Sequence, residues 1–204
     1  MVSAREIFMG FSTYYNSLGI AWEESLSTHT GRLLSYFDTL GRMLGYRVDS
    51  EVTLKKLAPF CPKDVQREKV DMIWWRSVDD ATRELELAVE SQQDPKLQLI
   101  KKDIRKLAII PANLKVLYCA PKELTKILEA IRKEMQQYKH NQSRFLAIMD
   151  PWRSPDTFAK GTVLGLSLDS NGKIKGEGTA KVSKVDVGRS LSIRMFLEAK
   201  WKDK

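Results

Sequence analysis

The sequence predicts an α/β fold in which helices cover a mixed central β-sheet, and three observations indicate it. Through the first 150 residues, segments with helical spacing of apolar residues alternate with short apolar segments typical of strands. Two of these strands, within Glu68–Gln92, follow one another with only a polar turn between them. The rest of the chain alternates apolar and polar residues and contains an Asn-Gly turn. We therefore expect an α/β sandwich that ends in a β-rich extension.

Two helices are predicted before the first strand. The first begins at Ser3 and Glu6, which have the spacing of a capping box, and it ends at Gly19. Apolar residues at helical intervals predict the second over Trp22–Leu44. Alternation of apolar and polar residues then predicts a strand over Tyr46–Leu57.

The centre of the chain is predicted to run strand, strand, helix, strand, helix, strand. A proline marks the predicted start of both helices, because the first helical position does not need the backbone N–H that proline lacks. The predicted elements are a strand pair within Glu68–Gln92 with its turn at Val78–Arg83, a helix from Asp94, a strand at Leu114–Cys119, a helix from Pro121 and a strand at Arg144–Met149.

The C-terminal part is predicted to be β-rich and basic. Strands are expected at Thr162–Ser167, Lys173–Lys181 and Leu191–Leu197, the first two joined at Asn171-Gly172. From Lys160 onward, ten Lys and Arg residues stand against five Asp and Glu residues. We interpret the chain as one domain, with a core at about 22–150 and a basic extension at 160–204.

Composition limits the possible functions. The 204 residues carry a formal charge of +8, which favours polyanionic partners such as nucleic acid. No apolar run is long enough to cross a membrane, and no secretory signal is evident. Two isolated cysteines, Cys61 and Cys119, do not make a disulfide framework or a Cys-type zinc site, so a protein of the reducing cytoplasm is expected. Two histidines, His29 and His140, give little support to a His-rich metal site or a Ser-His-Asp hydrolase.

Acidic residues interrupt the two strands best suited to a sheet interior. Asp71 lies inside Val-Asp-Met-Ile-Trp-Trp, and Glu90 follows Leu-Ala-Val. If the two strands form a hairpin, Asp71 lies roughly opposite Ala88–Glu90, where the two carboxylates are close enough to bind one divalent cation. Gln92 shares the face of Glu90 and would lie beside an attacking water. By contrast, Glu84 and Glu86 are interpreted as the solvated end of their strand.

These residues resemble the PD-(D/E)xK, or restriction-endonuclease-like, nuclease superfamily. Asp71 matches the first acid of the motif, and Glu90-Ser91-Gln92 matches its (D/E)-x-K element, with Gln92 where Lys is usual. The order of elements from about Trp22 to Met149 matches as well. The resemblance implies a three-layer sandwich with a mixed central sheet between helices, and a metal-dependent endonuclease that hydrolyses DNA.

The resemblance also implies roles for individual residues. Asp71 and Glu90 would bind Mg²⁺ or Mn²⁺ together with the carbonyl of Ser91, Gln92 would orient the water, and Glu24 would be an auxiliary acid. Basic residues on the helix after Glu90 would contact backbone phosphates; they are Lys101, Lys102, Arg105 and Lys106. DNA is the expected partner, with RNA as an open alternative, and a homodimer is expected because a twofold protein matches a palindromic duplex.

Two other hypotheses stay open at this point. The same fold could serve as a catalytically weak or inactive nucleic-acid-binding protein, since the neutral amide of Gln92 lacks the charge of the usual lysine. Alternatively, the chain is a structural or interaction protein in which Asp71 and Glu90 belong to a solvated hairpin face. A nucleic-acid binder would lose affinity steeply as the salt concentration rises, whereas a structural protein would not bind nucleic acid.

Overall fold

The chain forms an α/β structure built on one open sheet. The computed structural model describes residues 1–18, 26–58, 61–77, 83–138, 143–150, 162–187 and 193–204. In chain order the elements are α1 (Ala4–Leu18), α2 (Leu26–Met43), β1 (Arg47–Thr53), α3 (Leu54–Leu57), β2 (Lys69–Ser77), β3 (Arg83–Gln92), α4 (Leu97–Ile109), β4 (Leu114–Cys119), α5 (Leu124–Gln137), β5 (Arg144–Met149), β6 (Thr162–Leu168), β7 (Ile174–Val187) and β8 (Ile193–Asp203).

The eight strands form a single mixed sheet whose spatial order is the chain order, β1 to β8. Neighbouring strands are antiparallel from β1 to β3 and again from β5 to β8. The central strands β3, β4 and β5 are parallel. Parallel neighbours require a crossover that returns the chain to the same end of the sheet, and α4 and α5 provide the two crossovers.

Helices cover both faces of the sheet, and each face has its own hydrophobic core. The first core packs α1 and α2 against one face, with Phe8, Phe37 and Trp74 fully buried in it. The second core packs α3, α4 and α5 against the other face, around residues such as Ile73 and Ile104. Ile73 and Trp74 are adjacent in β2 and therefore belong to opposite faces. The two cores explain why the central strands are apolar on both sides.

Helix α1 packs against the C-terminal strands because those strands carry glycines where it crosses them. A Cβ at Gly165 in β6 or at Gly178 in β7 would lie 2.5 Å from the ring of Phe8. Asn16 adds two hydrogen bonds to the backbone of Leu197 in β8: its Nδ2 donates to the carbonyl at 2.8 Å and its Oδ1 accepts from the N–H at 2.6 Å. The β-rich tail is thus an integral part of the sheet and of the first core.

The predicted α/β class and mixed sheet are confirmed, and the strands at Leu114–Cys119 and Arg144–Met149 have the predicted boundaries. The predicted strand Tyr46–Leu57 is wrong at its end, because β1 stops at Thr53 and a helical turn follows. Leu54 and Leu57 are both buried in the second core, and the three-residue spacing of a helical turn brings both to one side. Tertiary burial here decides against the extended conformation.

The remaining predicted elements are found, with shifted ends where those ends are described. The predicted start of the second helix at Trp22, residues 78–82 of the predicted turn and the predicted strand start at Leu191 lie outside the described residues. The helices expected from Asp94 and Pro121 begin at Leu97 and Leu124. The Asn171-Gly172 hairpin is present, with Gly172 at a φ of 76° and Gly172 N–H donating to Asp169 O. Within the residues described, no helix has the length and apolar character needed to span a membrane.

Candidate active site

Asp71 and Glu90 lie opposite each other on neighbouring strands. Met72 pairs with Val89 in the antiparallel register of β2 and β3, which places Asp71 opposite Glu90 one residue further along. Directly opposite residues of an antiparallel pair point to the same face. The Ser91 N–H donates a hydrogen bond of 2.7 Å to Asp71 Oδ2. Asp71 is half-buried, and Glu90 is only 2% exposed. The structure therefore brings together the two acids predicted from the sequence.

Burial disfavours the ionised form of both carboxylates. It raises the pKa of Glu90 well above the ordinary value of 4.5, with Asp71 and Asp103 adding repulsion and Lys106 acting in the opposite direction. Burial also raises the pKa of Asp71, opposed by the Ser91 N–H and by Lys106. Three carboxylates and one ammonium share this cluster, so its ionised form carries an excess of negative charge. A bound proton or a cation relieves that excess.

Lys106 lies inside this cluster rather than on the solvated face of α4. It is 7% exposed, and its Nζ lies 2.7 Å from Glu90 Oε1 and 2.9 Å from Asp103 Oδ1. It also donates a hydrogen bond of 3.0 Å to the carbonyl of Lys69. Burial acts to lower the pKa of Lys106, but attraction to Glu90 and Asp103 outweighs it, so the net shift is upward. Lys106 brings a positive charge to Glu90.

The other basic residues predicted on α4 have different surroundings. Lys101 and Lys102 are exposed. Lys102 pairs with Glu68 at 2.8 Å, and Arg105 pairs with Asp64 at 2.9 Å. These are surface ion pairs, which contribute little to stability and exchange readily for other anions. Lys101, Lys102 and Arg105 are therefore available to a polyanion, whereas the Lys106 amine is enclosed by its three partners.

Both ends of the Gln92 side chain are engaged by protein groups. Nε2 donates to Asp103 Oδ2 at 2.9 Å, and Oε1 accepts from the Asp94 N–H at 3.0 Å. The amide thus ties the end of β3 to α4 and to the segment between them. The role predicted for Gln92, orienting a water, would require one of these bonds to be exchanged.

Sequence reasoning missed Asp103, although the sequence contains a signal for it. Asp103 stands in the apolar stripe of α4 formed by Ile100, Ile104 and Leu107. An acid at such a position is buried by the same periodicity that buries its neighbours. Lys106 follows Asp103 by three residues, so the two side chains meet on one side of the helix.

A third strand, β1, places an acid next to Asp71 across the sheet. Glu51 in β1 lies between Ser50, which pairs with Met72, and Val52, which pairs with Val70, so it stands opposite Asp71. Its φ of 51° is in the left-handed region that non-glycine residues rarely adopt. Its carboxylate pairs with Lys69 at 2.8 Å and is exposed to solvent.

The prediction that Glu86 belongs to a solvated strand end is wrong. Glu86 is fully buried, accepting hydrogen bonds from the Val2 N–H at 2.9 Å and from Asn113 Nδ2 at 3.0 Å. The register between β2 and β3 shifts near Trp74, which breaks the alternation on which the prediction relied. Glu84, by contrast, is exposed and pairs with Arg76, as expected of a solvated residue.

The groups available to a metal ion are oxygen donors. Asp71, Glu90 and the backbone carbonyl of Ser91 are the predicted ligands, and oxygen is the donor that Mg²⁺ and Mn²⁺ prefer. Among the residues the structure describes, no three His, Cys, Asp or Glu side chains are arranged to hold a metal ion. Mg²⁺ keeps several water ligands and is commonly held by one or two carboxylates, so this donor set suits it. The predicted auxiliary acid, Glu24, lies outside the described residues.

Comparison with known proteins identified no related family, protein or structure for this chain. Its function has to be argued from the residues themselves.

Proposed function

We propose that this chain is an endonuclease of restriction-endonuclease-like fold that hydrolyses phosphodiester bonds in DNA with the help of Mg²⁺ or Mn²⁺. One observation carries the proposal: two acids on adjacent strands, Asp71 and Glu90, share a buried cluster with the ammonium of Lys106. A pair of carboxylates and a cationic side chain is the set of groups that the (D/E)-x-K motif assembles. Here the positive charge comes from α4 instead of from the third position of the motif, where Gln92 stands.

The donor chemistry supports a divalent cation at this site. Asp71 and Glu90 would hold it through carboxylate oxygens, with the Ser91 carbonyl as a further ligand. The chemistry that a bound Mg²⁺ supplies is activation of a water nucleophile and neutralisation of charge on the phosphodiester. Its positive charge would also favour the ionised forms of Asp71 and Glu90, whose pKa values burial raises.

The protein's own groups have separate tasks in this proposal. Glu90 holds Lys106 within hydrogen-bond distance, so an ammonium stands next to the proposed reaction centre. Such a group stabilises the negative charge that develops on a phosphate oxygen in the transition state. Gln92 fixes the end of β3 against α4 through Asp103, which keeps the Glu90 carboxylate in place. Low exposure of Glu90 and Lys106 strengthens these electrostatic interactions by excluding water.

The fold and the charge distribution are consistent with a DNA substrate. A helix and three strands lead into α4 and a further strand, the element order of the superfamily core. Lys101, Lys102 and Arg105 stand on α4, beside the cluster, where they would contact backbone phosphates. The net charge of +8 favours binding to a polyanion. A cytoplasmic homodimer, with β6–β8 as DNA-contacting or dimer surface, completes the proposal.

The test is cleavage of plasmid and of single-stranded DNA, with Mg²⁺, with Mn²⁺ or with a chelator. The variants are Asp71→Ala and Glu90→Ala, beside Glu84→Gln as a matched control. Glu84 lies on the same strand as Glu90, but its carboxylate is exposed and pairs with Arg76. The proposal expects metal-dependent cleavage that both alanine variants lose and the control retains. Cleavage that persists in Asp71→Ala and Glu90→Ala would contradict the site.

A second candidate is a nucleic-acid-binding protein of the same fold without nuclease activity. The enclosure of Glu90 and Lys106 favours it, because the ammonium already forms an ion pair with the carboxylate that a cation would need. This protein would bind DNA with an affinity that falls steeply with salt, and no metal would make it cleave. Binding measured from low to physiological salt, in parallel with the cleavage assay, separates the two functions.

A further inference from the structure

Asp103 lies at the centre of the buried polar cluster, on the face of α4 that packs against the sheet. It is 6% exposed, and each carboxylate oxygen has its own partner. Oδ1 lies 2.9 Å from Lys106 Nζ, and Oδ2 accepts a hydrogen bond of 2.9 Å from Gln92 Nε2. A buried carboxylate with both oxygens engaged is held in one orientation.

The orientation of Gln92 shows that Asp103 acts as an acceptor on both sides. Because Gln92 Oε1 accepts from the Asp94 N–H, the opposite end of the amide, Nε2, is the end that faces Asp103. Lys106, the other partner, is a donor only. An ionised carboxylate satisfies both donors. An asparagine at this position would direct its own N–H groups at one of them.

Asp103 is also the partner that stays with Lys106 when Glu90 is otherwise engaged. Of the three groups around the Lys106 amine, Asp103 alone belongs to the same helix, three residues earlier. If the Glu90 carboxylate coordinates another cation, Lys106 would lose its closest ionic partner. A buried ammonium without a partner strongly destabilises a fold. The Asp103 carboxylate keeps Lys106 paired.

We propose that Asp103 is a positioning residue that anchors the Lys106 ammonium and the Gln92 amide beside Glu90, so that Glu90 is free to bind a cation. The catalytic part of this inference rests on the nuclease function proposed above. The positioning itself is measured without nucleic acid or metal.

The variants that test it are Asp103→Asn, Asp103→Glu and Asp64→Asn. The asparagine removes the charge with little change in shape, and the glutamate restores the charge. Asp64→Asn is the matched control, since Asp64 is an exposed acid that pairs with Arg105 on the same helix. If Asp103→Asn does not fold, Asp103→Glu carries the test, because its longer side chain displaces the carboxylate and is expected to raise the Lys106 acetylation rate above that of the wild type.

Two measurements follow Lys106 and Gln92 directly. Acetylation of each lysine under limiting reagent, followed by peptide mass spectrometry, gives the rate at Lys106 relative to exposed Lys101. Asp103→Asn is expected to raise that relative rate about tenfold, the equivalent of one hydrogen bond to a charged group. The side-chain amide resonances of Gln92 in ¹H–¹⁵N spectra are expected to shift in Asp103→Asn. Asp64→Asn changes neither signal.

Kinetics tests the catalytic part. Asp103→Asn is expected to lower kcat by about 10- to 100-fold with KM nearly unchanged, and Asp103→Glu to recover part of the loss. An unchanged Lys106 acetylation rate and unchanged Gln92 resonances in Asp103→Asn would overturn the positioning, whether or not the chain cleaves DNA. If both signals move as expected while the wild type cleaves nothing, the positioning stands and the nuclease proposal fails.

Discussion

The Nζ of Lys106 lies 2.7 Å from Oε1 of Glu90, and both residues are almost fully enclosed. The lysine reaches the carboxylate from α4, whereas Glu90 lies on β3. In the proposed nuclease, this lysine would supply from outside the strand the charge that the (D/E)-x-K motif usually takes from its third position. The contact between Lys106 and Glu90 is therefore central both to the stability of the cluster and to its proposed chemistry.

Lys106→Met is expected to destabilise the protein by about 3 kcal/mol, because it leaves a buried carboxylate without its cationic partner. Methionine keeps most of the side-chain volume, so the loss reflects charge more than packing. Denaturant unfolding measures the effect. Lys102→Met is the control, since Lys102 lies on the same helix but forms an exposed pair with Glu68, and it should change stability by less than about 1 kcal/mol. Equal effects of the two substitutions would contradict the assignment of Lys106 to the cluster.

Divalent cations are expected to stabilise the folded chain through Asp71 and Glu90. At a Mg²⁺ concentration tenfold above the dissociation constant, the free energy of unfolding should rise by about 1.4 kcal/mol. Asp71→Asn and Glu90→Gln should remove this gain, while Glu84→Gln should retain it. Thermal unfolding with MgCl₂, compared with NaCl of the same ionic strength, measures the difference. A gain of the same size in all four proteins would locate the cation elsewhere.

A pH effect is expected from Lys115, which lies in β4 opposite Ala88, two residues along the strand from the partner of Glu90. It is 1% exposed and donates to the Ala108 carbonyl at 3.0 Å. Burial lowers its pKa from 10.5 to about 7. Between these two values the unfolded chain binds more protons than the native state, so the free energy of unfolding rises with pH across the window.

Lys115→Met should remove this dependence. Its stability advantage over the wild type is expected to be largest at and below pH 7 and to shrink by up to about 5 kcal/mol toward pH 10.5, since a pKa difference of one corresponds to about 1.4 kcal/mol. Urea unfolding at several pH values measures it, with exposed Lys133→Met as reference. A constant difference between Lys115→Met and wild type at every pH would show that Lys115 keeps its ordinary pKa.

The left-handed backbone at Glu51 predicts an unusual order of stability among variants at this position. Both Glu51→Gly and Glu51→Ala remove the exposed ion pair with Lys69, which contributes little. Only glycine adopts the φ of 51° without steric cost. Glu51→Gly is therefore expected to be more stable than Glu51→Ala by about 1 kcal/mol. Thermal unfolding of the two variants decides it, and a more stable alanine variant would mean that the backbone at this position is not left-handed in solution.

The predictable parts of this fold are those that local pattern determines. Short, mostly apolar runs predicted the boundaries of β4 and β5, and the Asn171-Gly172 pair predicted the hairpin, because glycine accepts the φ of 76° found there. The length of one turn predicted that Asp71 lies roughly opposite Ala88–Glu90, and the register shift near Trp74 makes Glu90 its partner. Each of these inferences needs only a few neighbouring residues.

The unpredicted parts depend on contacts between distant segments. Glu86 is buried because a register shift near Trp74 reorients it toward Val2 and Asn113, and no local pattern shows such a shift. Lys106 has the sequence surroundings of a solvated lysine. Its burial follows from the docking of α4 over β3, which brings Glu90 within reach.

The agreement between strand order and chain order has a consequence for folding. Each strand from β2 to β8 pairs with the strand that precedes it in the sequence. During synthesis the sheet can therefore grow by one strand at a time, since no strand needs a later segment in order to pair with the one before it. Helix α1 is the exception. This helix packs on strands that are synthesised much later, with Asn16 bonded to Leu197 across 181 positions. The part of its apolar face around Phe8, which meets Gly165 and Gly178, stays uncovered until β6 and β7 have been made.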